Sequence, residues 1–123
     1  MEDLYNNLNT STTIVNDCLI ITLPNDIIDK EIEMGFNRIL TIIERTSVKG
    51  VILNLSMISS LDTSFFKVLE KISKTIALMG PRVVWVGLRP GVVSALIDLN
   101  IDVSKIKSAF DLRQGINMIL NDN

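Results

Sequence analysis

Leu53-Asn54-Leu55-Ser56, then Ser59-Ser60-Leu61-Asp62-Thr63-Ser64, then the apolar-faced run from Phe65 to Met79 decide the fold of this chain. The first piece closes Gly50-Val51-Ile52-Leu53-Asn54-Leu55, a near-continuous apolar run of the kind that forms a strand covered on both faces. The second is a short polar loop. In the third, Phe65, Val68, Leu69, Ile72, Ile76 and Met79 recur at helical spacing, while Lys67, Glu70, Lys71 and Lys74 fall outside that stripe. Gly80-Pro81 stops the helix, because proline cannot continue it. A second buried run follows at Arg82-Val83-Val84-Trp85-Val86-Gly87. Buried strands joined through a helix pair in parallel.

Toward the N-terminus, residues 1–11 are rich in Asn, Thr and Ser and read as a flexible lead-in. Thr12 to Val15 alternates weakly, Asn16-Asp17 is a turn pair, and Cys18 to Leu23 is a second strand. Two turn residues between them predict an antiparallel hairpin. Pro24-Asn25-Asp26 ends that strand and is expected to cap a helix in which Ile28, Ile32, Phe36, Ile39, Leu40 and Ile43 share a face. Gly35 inside it costs about 1 kcal/mol relative to alanine, and close packing is the expected reason for it.

Toward the C-terminus, Leu88 to Gly91 reads as a loop and Val92 to Leu99 as a short helix. Residues 101–107 read as a short edge strand, and Asp111 caps a last helix bearing Leu112, Ile116, Ile119 and Leu120. No repeat, low-complexity tract or linker interrupts the pattern. The expectation is one α/β domain with a mixed sheet over residues 12–120, followed by a tail at 121–123.

The chain of 123 residues fits a single core, and its net charge of −2 argues against nucleic acid, whose polyanionic backbone demands a basic face. One cysteine, Cys18, permits no intrachain disulfide; it sits in an apolar run and reads as a core residue in a cytoplasmic protein. The acidic N-terminus is unlike a secretory signal, and no apolar run approaches the ~20 residues that span a bilayer. No membrane partner is expected.

Catalysis is disfavoured by what is missing. The chain contains no histidine, so no Ser-His pair can form, and one cysteine builds no zinc site. Gly87-Leu88-Arg89-Pro90-Gly91 has the wrong spacing for a phosphate loop. No catalytic residue and no cofactor is expected. The hydroxyls around Asp62 are better read as groups another protein modifies or recognises. Asp62 has an ordinary role as a helix N-cap. A phosphate on Thr63 would sit where the helix dipole and free N–H groups favour an anion, and would disrupt an apolar partner docked over it. Phe65 fits the buried stripe, which leaves its neighbour Phe66 partly exposed as a contact residue. Parallel topology places Arg89 at the same sheet end as residues 56–64.

These residues resemble a known family. Asn54-Leu55-Ser56 with Asp62-Thr63-Ser64 resembles the aspartate-then-hydroxyl signature of STAS domains, the fold of bacterial anti-sigma factor antagonists. Val86-Gly87-Leu88-Arg89-Pro90 and Val92-Val93-Ser94-Ala95-Leu96 are similar to the glycine-x-arginine/lysine-proline loop and helix of the stressosome branch. Ile97-Asp98-Leu99-Asn100-Ile101 and Ala109-Phe110-Asp111-Leu112-Arg113-Gln114-Gly115 continue the likeness. It spans residues 12–120 and is nearest the single-domain, RsbS-like scaffolds. These usually carry serine at the position of Thr63, threonine being more typical of the multidomain paralogues, and the family usually has aspartate where Asn54 stands.

The resemblance implies a STAS-type mixed β-sheet with helices packed mainly on one side. It implies a non-catalytic scaffold that joins RsbR-like STAS paralogues in a large assembly and sequesters an RsbT-like switch Ser/Thr kinase. The kinase is released when it phosphorylates the residue after the aspartate, which is Thr63 here, with Ser64 and Ser60 as alternatives and Asp62 in support. Ser59, Ser60, Phe66, Arg89 and Pro90 are the implied partner contacts. Two other readings stay open: a free anti-anti-sigma factor binding an anti-sigma kinase, and a module holding a small ligand in the sheet-end crevice.

Overall fold

Two residues with left-handed backbone, Asn16 (φ 50°) and Asp17 (φ 64°), turn the chain between its first two strands, β1 (Ser11–Val15) and β2 (Cys18–Thr22). Asn and Asp tolerate that conformation, and its twist matches that of a tight hairpin. The strands pair antiparallel, Val15 opposite Cys18 and Ser11 opposite Thr22. The computed structural model describes residues 11–121. The lead-in expected at 1–11 therefore lies outside the described residues except for Ser11, which opens β1.

Helix α1 (Asp29–Thr46) leads to β3 (Gly50–Asn54), helix α2 (Thr63–Leu78) to β4 (Arg82–Val86), and helix α3 (Pro90–Asp98) to a 3-10 turn at Val103–Lys105 and β5 (Ser108–Ala109). Helix α4 (Leu112–Asn121) ends the described chain. The sheet runs β1-β2-β3-β4-β5, with every pair after the hairpin parallel. This is the mixed sheet that the hairpin and the helix crossovers predict.

Alternation along the strands sorts the core into two layers. Leu19, Ile21, Val51, Leu53 and Trp85 face one side, where they pack with Ile32, Ile39 and Ile43 of α1, Leu69, Ile72 and Ile76 of α2, and Val92 and Leu96 of α3. Cys18, Ile20, Ile52, Val84 and Val86 face the other side, beneath Ile119 of α4. Three helices cover one face and one covers the other, so the central strands have no polar side and read as unbroken apolar runs. Gly115 lets α4 lie close on the sheet, since a Cβ there would come within 2.8 Å of Val86 Cγ1. Cys18 is buried, and burial, with Asp17 adding to it, pushes its thiol above the ordinary range.

Several boundaries differ from the sequence-based expectations. Helix α1 starts at Asp29, with Ile28 as its N-cap residue, and not at a cap from Pro24-Asn25-Asp26. Glu31 accepts the Ile28 N–H at 3.1 Å, so the start is satisfied from inside the helix and Ile28 itself is exposed. Gly35 lies on the buried face, as packing requires. Residues 101–107 do not form a strand. Asp102 accepts the N–H and hydroxyl of Ser104 and folds the segment into the 3-10 turn, which postpones pairing to two residues at Ser108 and Ala109. Pro90 belongs to α3 as its first residue, a position where the missing N–H costs nothing. Met79 lies past the end of α2 and is exposed, and Val68 is half-buried.

Candidate functional site

The parallel strands β3 and β4 end side by side, and the loops that leave them build the site. Leu55 continues the ladder by donating its N–H to Val86 at 2.9 Å. Ile58 and Leu61 are buried and pin the β3–α2 loop to the core, which leaves Ser56, Ser59, Ser60 and Asp62 on the outside. Asn54 stitches the strand end: its side-chain Oδ1 accepts the Ser56 N–H at 3.2 Å and its Nδ2 donates to Thr22 Oγ1 at 3.3 Å.

Gly87 brings the next loop against this one. Its φ of +78° suits glycine, and a Cβ there would fall 2.9 Å from Ser56 Cβ and 3.0 Å from Ser56 N. With the loops in that contact, Arg89 Nε donates to the Ser56 carbonyl at 3.1 Å. Arg89 and Pro90 are both exposed at the start of α3, on the same sheet end as the hydroxyl loop, as parallel topology predicts.

The hydroxyls are not equivalent. Asn25 Oδ1 accepts both the N–H of Ser59 at 2.8 Å and its hydroxyl at 3.0 Å, tying this loop to the β2–α1 connection. Ser64 donates its hydroxyl to Asp29 Oδ2 at 2.6 Å, tying the start of α2 to the start of α1. Asp62 caps α2, its Oδ1 accepting the Phe65 N–H at 2.8 Å. No hydrogen bond to the hydroxyl of Thr63 or of Ser60 exists among the described residues, and none joins Asp62 to the Thr63 hydroxyl. Thr63 is half-buried and is the first residue of a 16-residue helix, where unpaired N–H groups and the dipole favour negative charge.

A groove of about 350 Å³ runs beside Thr63, between α2 and the segment after α3. Lys67 and Lys105 line it, with Glu70 and Asp102 as the opposing charges. Asn100 (φ 60°) shapes the far wall: it turns the chain in a Schellman-type end to α3, with Ile101 N–H on Leu96 O at 3.0 Å and Asn100 N–H on Ile97 O at 2.9 Å. The Ser104 hydroxyl and N–H, with Lys105 nearby, hold the Asp102 carboxyl below its ordinary range.

Phe66 corrects the sequence reading. Both phenylalanines are buried, Phe66 at 3 % exposure, and its ring meets Trp85 edge-on at 5.6 Å between centroids. Helix α2 packs on the sheet and on α1 together, so its buried arc is wide enough for two consecutive residues about 100° apart. Phe66 is a core residue and not a surface contact. Sequence reading also missed Asn25 and Asp29. Their bonds to Ser59 and Ser64 span 34 and 35 residues, and a turn-forming Asn or first-turn Asp carries no local sign of them.

One consequence concerns stability. Asp62→Ala removes the α2 cap and should lower unfolding free energy by about 0.5–2 kcal/mol. A urea titration should show the midpoint falling with its slope unchanged; an unmoved midpoint would deny the cap its role.

Across residues 9–111 the chain matches the model of the STAS domain. The chain belongs to the STAS domain family. A Bacillus subtilis (strain 168) relative of this STAS domain, the uncharacterized protein YezB, is 31 % identical over 69 residues, covering 56 % of this chain and 70 % of that protein. Among solved structures, RsbS from Moorella thermoacetica, in a variant with serine replaced by glutamate, superposes with a TM-score of 0.77 at 22 % identity, over 91 % of this chain and 95 % of that one. A chain from the molecular architecture of the stressosome gives 0.74 at 22 % identity, over 90 % and 96 %. The anti-sigma factor antagonist SpoIIAA in its unphosphorylated form gives 0.67 at 16 % identity, over 89 % and 95 %. This STAS domain thus shares its fold with RsbS and SpoIIAA. Among its described residues no helix is long and apolar enough to cross a membrane, and no group of three or more His, Cys, Asp or Glu side chains could hold a metal ion.

Proposed function

We propose that this STAS domain is a non-catalytic antagonist that binds a switch Ser/Thr kinase of the RsbT type and lets it go once Thr63 is phosphorylated. The observation that carries the reading is the division of roles among the hydroxyls. Ser59 and Ser64 are held by Asn25 and Asp29, while the Thr63 hydroxyl at the start of α2 makes no hydrogen bond among the described residues. A phosphate there would meet the positive end of the helix, with Lys67 and Lys105 along the adjoining groove. Folding would lose little. A docked partner would lose much, because a near-dianion must be desolvated under its surface. Arg89 and Pro90, exposed beside the loop, are the proposed contacts, with Ser59 and Ser60 at the rim. The fold shared with RsbS and with a stressosome chain supports a scaffold role beside RsbR-type STAS paralogues.

The test is a binding experiment with the kinase by light scattering coupled to size exclusion. A complex should form with a non-hydrolysable ATP analogue and dissolve when ATP is supplied. A complex that survives ATP while the kinase is active would sink the release mechanism. An assembly that grows large when an RsbR-type paralogue is added supports the scaffold role; a lasting one-to-one complex supports a free antagonist like SpoIIAA.

A further inference from the structure

On the face covered by three helices, far along α2 from its start, a cavity of about 410 Å³ opens between α2, the outer edge of β4 and the 3-10 turn. We propose that it binds a small amphipathic anion, an aliphatic or aryl carboxylate; it shares Glu70 and Lys105 with the groove beside Thr63, but its binding requires no kinase.

The cavity exists because β5 is short. Pairing with β4 begins only at Trp85, opposite Ser108, since the 3-10 turn carries the preceding chain away from the sheet. Arg82 N–H points to β3, where it meets Lys49 O, and Trp85 N–H points to the β5 side, where it meets Lys107 O. Backbone groups alternate along a strand. Val83 therefore directs its N–H and C=O to the same edge as Trp85, but one pair before β5 arrives. Val83 lines the cavity, and its N–H has no backbone partner among the described residues.

The walls have two characters. Trp85, Ile106, Ala77 and Pro81 give an apolar floor, and the volume is that of a small-molecule site. Around it stand Lys74, Lys105, Lys107 and Arg82 against a single carboxylate, Glu70. Arg82 is already engaged with the Ile119 carbonyl at 3.1 Å. Neither Lys74 nor Lys105 has an ion-pair partner within 4.0 Å among the described residues. A ligand with an apolar body and a carboxylate head satisfies all three features. Its body lies along Ala77 and Ile106, over the buried Trp85, and its oxygens take the Val83 N–H and the two lysines. A neutral apolar molecule would leave the donor and charges unmet, and a cation would be repelled.

Trp85 is the one tryptophan of the chain, so its fluorescence reports directly on this cavity. The intact protein should be titrated with decanoate and, separately, with decanol. Decanoate should change Trp85 emission saturably at one site per chain, with decanol about tenfold weaker or more. The Lys74→Gln/Lys105→Gln pair, its fold checked by circular dichroism, should weaken decanoate about tenfold and leave decanol unchanged. Absence of a saturable decanoate response overturns the proposal. Equal binding of decanol, or decanoate binding indifferent to the lysine pair, overturns it too. Because no kinase takes part, failure here leaves the Thr63 switch untouched.

Discussion

Incubated with an active RsbT-type kinase and ATP, the unaltered chain should gain one phosphate on Thr63, and Thr63→Ala protein should stay at its unmodified mass. The expected effect is all or none because the neighbouring hydroxyls are poor substitutes. Ser64 is bonded to Asp29 and Ser59 to Asn25, so each must break a native bond to enter a kinase active site. Ser60 is exposed and unbonded among the described residues, but it lies in the loop before the cap, away from the N–H groups of the helix start. Thr63→Ala should fold normally, since no hydrogen bond to that hydroxyl is lost among the described residues. It should still bind the kinase and fail to release it. Intact-mass and peptide-level phosphosite mapping decide the matter: phosphate on Thr63→Ala protein at the level of the unaltered chain would remove Thr63 from its role.

The second large effect is on stability. Phe66→Ala should cost about 3–5 kcal/mol, the usual range for emptying a buried phenylalanine site. Against a total of about 5–15 kcal/mol for a domain, that is a severe loss. The edge-on contact with Trp85 adds to the burial, such pairs being worth about 0.5–1.5 kcal/mol beyond area. Damage should extend to the Trp85 environment, so both the urea midpoint and the Trp85 emission of the folded protein should move. Were Phe66 a surface contact, as its place beside Phe65 suggests at first, the substitution would weaken partner binding and leave the midpoint unmoved. Phe66→Leu, which keeps most of the volume, should lose far less.

What the sequence made legible depends on range. The hairpin is written in two adjacent residues, Asn16 and Asp17, and the covered strands in the apolar runs of β3 and β4; both effects act within a few residues and both were readable. The start of α2 was readable for the same reason, Asp62 serving the N–H three residues on. Misreadings arose where distant chain decides. The helical stripe assigns one face to the core, but α2 has two packing partners, and this buries Phe66. Asn25 has the composition of a cap and instead holds Ser59 across 34 residues. Residues 101–107 read as an edge strand because nothing in the apolar Ile101, Val103 and Ile106 announces that Asp102 bends the chain away. The candidate site divides likewise. Asp62, Thr63 and Arg89 were visible as a local motif and a topological neighbour; the groove with Lys67 and Lys105 needed three dimensions.

The hydroxyl of Thr63, without a hydrogen bond among the described residues, also bears on how such a protein can diverge. Asp62 next to it is occupied by the helix start, and Ser59 and Ser64 by the two loops they bridge, so selection on folding watches those positions. It does not watch the hydroxyl of Thr63. Serine, threonine or a residue that cannot be modified could succeed one another there with the architecture undisturbed, each setting a different response to the same kinase. If the proposed switch operates, a lineage could thus retune or silence it by single replacements at one position while inheriting the fold whole.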